Sequence, residues 1–243
     1  MSSTETTLGP LQIADPEEAR RVPATREELV VVNRPDSQQA EQFRTLRNSI
    51  IALNPDGAPR TVVLTSALRA EGKTIATLNL ACALAELAGQ QVLVIDANLD
   101  TPALESYLDL PRRQGLCELL AGRLAPDQAI RATSLSRISI LGSGARPGNS
   151  SELLGSDRMR TLLRTLKQRY NYVLIDTPES TTTSDATLLG AMVDGIVLVV
   201  RLGTTPRSYV EQAVQSLEAM GGNVLGTCLT GALVPDTAKG KRI

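Results

Sequence analysis

Short aliphatic runs recur along this chain, separated by stretches with helical periodicity, and that alternation constrains its fold more than any other feature. Residues 61–65, 91–96, 172–176, 195–200 and 224–229 are strand candidates, with 138–141 as a sixth. Helical patterns occupy 74–88, 151–169, 184–192 and 206–220. Strands alternating with helices imply βαβ units, hence an α/β fold with a doubly wound, mainly parallel sheet. Such strands are covered on both faces and read as continuous Val, Ile and Leu. Only 2% of residues are aromatic, so aliphatic side chains must fill that core. At 243 residues a single domain accounts for the chain, and no internal repeat is visible.

Residues 1–27 are rich in Ser, Thr, Pro and Glu without hydrophobic periodicity, which reads as a mobile tail. The domain is delimited at 36–233, with 1–35 as N-terminal tail and 234–243 as a short polar C-terminal tail. Within the first of these, Leu29-Val30-Val31-Val32 is read as an extended segment lying on the domain. Pro35-Asp36-Ser37 then signals a helix, capped by Asp36 or Ser37 and running to about Leu53. Phe43, Leu46 and Ile50 fall at i, i+3, i+7 and form its buried stripe. Glu41, Arg44 and Arg47 recur every three residues along a separate strip, which taken alone reads as a solvated face.

Several function classes are disfavoured. The formal net charge is -1 and no basic run is present, which argues against a nucleic-acid partner. No apolar stretch is long enough to cross a bilayer, and the N-terminus has no signal-like apolar region. Cys82, Cys117 and Cys228 stand apart, with no Cys-x-x-Cys pair and no histidine, so no zinc or iron–sulfur pattern exists. They read as small core residues of a reducing compartment, which points to a cytoplasmic chain.

The segment from Thr65 through Gly72-Lys73-Thr74 follows the first strong strand and opens a helix, the setting a P-loop requires. Backbone N–H groups of such a turn, Arg69 through Ile75 (Arg69, Ala70, Glu71, Gly72, Lys73, Thr74, Ile75), would cradle the phosphates of ATP. Lys73 would neutralise the β- and γ-phosphates, and the Thr74 hydroxyl would ligate Mg²⁺. Gly-Lys-Thr alone is weak, because Ala67 replaces the usual first glycine. Two other strands each end in an acid, Asp96 and Asp176, and in a doubly wound sheet those ends converge on the ligand crevice. A buried carboxylate is costly unless paired or near a cation, so both acids are expected at the metal and at the chemistry.

With these residues in view, the chain resembles the bacterial tyrosine kinases of capsule and exopolysaccharide assembly, relatives of the MinD/ParA ATPases. The likeness spans roughly 38–232. It rests on Glu41-Gln-Phe-Arg44-Thr-Leu-Arg47, Thr65-Ser66 through Gly72-Lys73-Thr74, Asn79-Leu80-Ala81 and Val94-Ile95-Asp96-Ala97-Asn98-Leu99 with Pro102. It continues through Gly115-Leu116, Leu119-Leu120-Ala121-Gly122, Ser151-Glu152-Leu153-Leu154, Tyr170 to Pro178, and Asp185-Ala186. The resemblance implies a cytosolic ATP-binding partner of a membrane polysaccharide co-polymerase, or chain-length regulator, which recruits it to the inner face of the membrane. It also implies ring-like self-association through Glu41, Arg44 and Arg47. Asp96 would act near the attacking hydroxyl, and Asp176 would organise Mg²⁺ through its waters.

Departures from the family pattern matter. Ala70 stands where glycine is usual and Arg69 where proline is frequent; Ile75 replaces a hydroxyl residue and Asn98 replaces a second acid. Asp100 and Thr101 sit where basic residues are common, and Thr230 where an asparagine often meets adenine. The tyrosines are Tyr107, Tyr170, Tyr172 and Tyr209, with no C-terminal cluster in this sequence. Two expectations therefore stand side by side: an ATPase or tyrosine kinase, and a degenerate, non-catalytic docking partner of the same machinery.

Overall fold

The computed structural model describes residues 26–231. The expected tails therefore lie outside the described residues up to 25 and from 232 onward.

Seven strands form one sheet: β1 (Arg60–Ser66), β2 (Val92–Asp96), β3 (Ile130–Ala132), β4 (Ile138–Leu141), β5 (Tyr172–Asp176), β6 (Gly195–Arg201) and β7 (Val224–Thr230). Their spatial order is β3-β4-β2-β5-β1-β6-β7. Every neighbouring pair is parallel except β3 with β4. The expected α/β doubly wound, mainly parallel sheet is what forms, with all six anticipated strands in it. β3 was not expected: three residues, one of them Arg131, leave no period to read.

Helices cover both faces, which is why the central strands β1, β2 and β5 are almost wholly buried. On one face lie α1 (Val30–Asn33), α2 (Gln38–Ala52) and α3 (Lys73–Ala85), packed on Val62, Leu64, Val92, Val94 and Leu174. On the other, α5 (Leu116–Leu120), α7 (Ser150–Leu154), α8 (Asp157–Leu166), α9 (Asp185–Gly190) and α10 (Arg207–Ala219) enclose Leu93, Ile95, Val173, Ile175 and Leu198. Two more short helices, α4 (Leu104–Tyr107) and α6 (Pro126–Ala129), sit in the β2–β3 connection.

Three expectations are corrected. Leu29-Val30-Val31-Val32 is not extended: it enters α1, with Leu29, Val30 and Val31 buried. Its β-branched run favours a strand, and that preference is not met. Instead Asn79 of α3 takes the Val31 N–H at 3.1 Å and donates to the Glu28 carbonyl at 2.8 Å. The pattern over 151–169 is two helices, because Ser156 caps a new one by accepting from the Met159 N–H. The helix expected over 74–88 stops at Ala85. For α2, Ser37 is the N-cap, accepting from the Ala40 N–H at 3.1 Å.

Candidate nucleotide site

The two-residue period of a strand decides which acids face which helix. Val62 and Leu64, Val92 and Val94, and Tyr172 and Leu174 all point toward α3. Two residues further on, the same side carries Ser66, Asp96 and Asp176, all at strand C-terminal ends. Asp96 and Asp176 are partners in the β2–β5 register. Helix α3 begins at this pole, so Lys73 and Thr74 arrive beside them.

The structure brings the four expected groups together. Thr74 Oγ1 donates to Asp176 Oδ2 at 2.5 Å, and the Lys73 ammonium donates to Ser66 Oγ at 2.9 Å. Lys73 is buried, which lowers its pKa, while Asp176, Glu179 and Glu71 pull the other way. Asp176 is only 1% exposed, and its other oxygen, Oδ1, has no hydrogen-bond partner. Burial first, and then the neighbouring Asp96, pushes its pKa well above the usual aspartate range. A buried, unsatisfied carboxylate oxygen costs more than the roughly 1–3 kcal/mol of a neutral group.

Asp96 is differently placed. Its Oδ1 accepts from the Asn98 N–H at 3.1 Å, and its Oδ2 from the N–H groups of Ala103 and Leu104, each at 3.0 Å. It therefore shapes the loop after β2 and caps α4. Burial raises its pKa and these three amides oppose the rise. Asn98 is likewise engaged locally, accepting from the Thr101 N–H and hydroxyl at 3.2 and 3.1 Å.

The phosphate loop is braced from three strands. From beyond β5, Glu179 accepts from Arg69 Nε at 2.7 Å and from the Thr182 hydroxyl at 2.6 Å. From β6 and its exit, Arg201 donates to the Ala70 carbonyl at 3.2 Å and the Thr205 hydroxyl donates to Glu71 Oε1. From β7, Thr230 donates to the Glu71 carbonyl at 2.7 Å. Glu71 itself turns inward and takes the Leu68 N–H at 2.9 Å. Sequence reasoning missed Ser66, Glu179, Arg201 and Thr205. Two left a signal: Ser66 lies in the quoted Thr65-to-Thr74 segment, and Glu179 is a second acid three residues past Asp176.

Gly72 caps α3 with φ 91°, and Ala70 adopts φ 58°. That is the left-handed region where an alanine methyl costs about 1–2 kcal/mol. Ala70→Gly is therefore expected to raise stability by about 0.5–1 kcal/mol, after the added freedom of glycine in the unfolded chain is subtracted. Urea unfolding measures it, and a loss of stability would contradict the strain at this position. Ile75 points away from the phosphate turn, into an apolar groove of ≈ 550 Å³ between α2 and β7 that Phe43, Leu46, Cys228 and Thr230 also line.

Comparison with known proteins bears on the family and the fold. A family model described as an AAA domain matches residues 70–220. Tyrosine-protein kinase YwqD of Bacillus subtilis is 33% identical over 203 residues, covering 84% of this chain and 85% of that protein. This chain belongs to the bacterial tyrosine kinase family.

Other relatives extend the picture. The kinase domain of Escherichia coli tyrosine kinase ETK superposes with TM-score 0.81 at 31% identity, covering 86% of this chain and 82% of that one. The septum site-determining protein MinD from Pyrococcus horikoshii, complexed with Mg-ADP, superposes with TM-score 0.60 at 26% identity, covering 70% of each chain. Succinoglycan biosynthesis transport protein ExoP of Rhizobium meliloti is 31% identical over 211 residues, 86% of this chain but 27% of that much longer protein. Among the described residues, no helix is long and apolar enough to cross a membrane.

The charged strip of α2 is not a bare solvated face. Arg44 grips Glu86, just past α3, with Nε at 2.9 Å and a second nitrogen at 2.7 Å. Arg47 reaches Glu86 Oε2 and the Ala83 carbonyl, each at 3.0 Å. The Arg44 pair holds the Glu86 carboxyl below its usual range, although burial opposes the shift. Glu41 is the exposed member of the strip, 3.4 Å from Arg44.

Proposed function

We propose that this chain binds ATP with Mg²⁺ and transfers its γ-phosphoryl group in exopolysaccharide or capsule assembly, as a tyrosine kinase or, with water as acceptor, as an ATPase. The observation that carries it is the Thr74–Asp176 hydrogen bond, with Asp176 Oδ1 left bare and the Asp176 carboxyl within electrostatic reach of the Lys73 ammonium. Thr74 and Asp176 would hold Mg²⁺, the hydroxyl as ligand and the carboxylate through waters, and the bound ion would neutralise charge building on the β- and γ-phosphates. Among the described residues no cluster of three or more His, Cys, Asp or Glu forms a ready-made metal site; phosphate oxygens of the nucleotide and waters would complete the coordination.

The protein's part is placement. Lys73 faces the phosphates, and the open N–H groups of the first turn of α3 line the same cradle. The groove beside Ile75 and Thr230 takes the base. Asp96 is held rigid by three amides, which occupy three of a carboxylate's roughly four acceptor positions. Its raised pKa makes it a better base for the proton of an attacking hydroxyl. A membrane polysaccharide co-polymerase is the proposed partner and brings the chain to the cytoplasmic face of the membrane.

A second reading, a docking partner with little turnover, is favoured by Ala70 in a left-handed conformation and by Asn98 being tied to Thr101. ATP with Mg²⁺ in thermal shift, together with labelled ATP and the cytosolic tails of the membrane partner, separates the two. Ligand at about 100 times its Kd adds roughly 2.7 kcal/mol of stability. Binding with transfer supports the first reading and binding without transfer the second. No stabilisation rejects the first reading and leaves a partner that docks without nucleotide.

Self-association through Glu41, Arg44 and Arg47 belongs to the same proposal. Light scattering on an Arg44→Ala, Arg47→Ala double variant is expected to show a smaller species than the wild type. Glu86→Ala, which removes only the internal partner, should retain the larger one. An unchanged mass in the double variant confines those arginines to holding α2 on α3.

A further inference from the structure

We propose that Tyr209 is the phospho-acceptor carried by this chain, an assignment that rests on the phosphoryl-transfer reading above. An acceptor phenol must come within about 3–3.5 Å of a γ-phosphorus seated in a P-loop crevice, so it must leave its own protein surface. Three of the tyrosines cannot. Tyr170 is buried, its hydroxyl bonded to Ser139, and Tyr172 is buried in the core beneath α3. Tyr107 is half-buried against the same core, with the Arg26 guanidinium 5.5 Å above its ring. Tyr209 is 43% exposed.

Its position suits the task. Tyr209 lies in the first turn of α10, which turns its Ala213 and Leu217 into the core. That helix follows directly on the loop whose Arg201 and Thr205 brace Ala70 and Glu71, so Tyr209 stands at the nucleotide end of the sheet. The product is also accommodated. Negative charge is favoured in the first turn of a 13-residue helix. Arg207, two residues earlier, pairs only with the exposed Glu211 at 2.7 Å and can turn to a phosphate.

In the step, a bond forms between the Tyr209 phenolic oxygen and the γ-phosphorus of ATP. The bond from that phosphorus to the β,γ-bridging oxygen breaks, ADP departs with its electron pair, and the phenolic proton passes to Asp96 and on to solvent. No other reactant is needed.

The full chain is incubated with labelled ATP and Mg²⁺, with and without a Glu–Tyr copolymer as external acceptor, and phosphate is located by mass spectrometry. Phosphate is expected on Tyr209. In Tyr209→Phe, labelling of the chain should fall at least tenfold while copolymer phosphorylation stays at the wild-type rate. Tyr107→Phe should label normally. Phosphate on another residue, or full labelling of Tyr209→Phe, overturns the assignment and leaves the kinase reading intact. So does a labelled copolymer beside an unlabelled chain. If neither is labelled, the assignment and the kinase reading fall together.

Discussion

A Lys73→Met variant is expected to lose ATP-dependent stabilisation and to slow phosphoryl transfer by about 10²–10³-fold while keeping its fold. Both parts come from the same environment. The ammonium is buried and desolvated, held by Ser66 Oγ at 2.9 Å and facing Asp176 and Glu179. With phosphates present it becomes the principal cation against their charge. Without them it is a costly buried ion, which methionine replaces with similar length and no charge. The ligand-free variant should therefore melt close to the wild type at pH 6, where Asp176 is readily protonated. Thermal melts with and without ATP, beside a labelled-ATP assay, test both parts. Persisting ATP stabilisation in this variant would reject the P-loop assignment.

The second large effect belongs to Asp176. Its folded-state pKa lies above the unfolded value, first because of burial and then because of Asp96. The folded state therefore holds more proton than the unfolded one at pH values above the ordinary 3.8. Stability contributed by this group is complete below 3.8 and is lost as pH rises through the raised pKa. Asp176→Asn removes that loss. With metal and nucleotide withheld, the variant should gain on the wild type as pH rises across this window, by at most about 1.4 kcal/mol per pH unit. Denaturant midpoints from pH 5 to 9 measure it. The same variant should transfer phosphate about 10²-fold more slowly, because Thr74 and the cation lose their carboxylate. A stability difference that does not vary with pH would mean that Asp176 is not strained by its burial.

The sheet was legible because a strand covered on both faces must be aliphatic throughout, and 172–176 and 138–141 are bounded as expected. The pocket was legible for a related reason. Acids that end such runs must lie at one edge of a parallel sheet, so Asp96 and Asp176 converge without any knowledge of the loops. What stayed hidden depends on distant pairing. Glu86 lies 42 residues from Arg44, and no local pattern joins them. Thr205 and Thr230 brace Glu71 from 134 and 159 residues away. α1 was misread because the preference of Val30-Val31-Val32 for strand is overridden by Asn79, a buried amide that strand or helix propensity does not register. Asp96 was found, but its three amide partners come from the fold of the loop beyond it.

The bracing of the phosphate turn from β5, β6 and β7 has a consequence for the thermodynamics of capture. Loops that become ordered only around their ligand give up freedom at the moment of association, and that weakens affinity. Here Glu71, Arg69 and the Ala70 carbonyl are already tethered, so the configurational entropy of this turn is surrendered as the polypeptide folds. A triphosphate entering this cradle would meet a rigid mould.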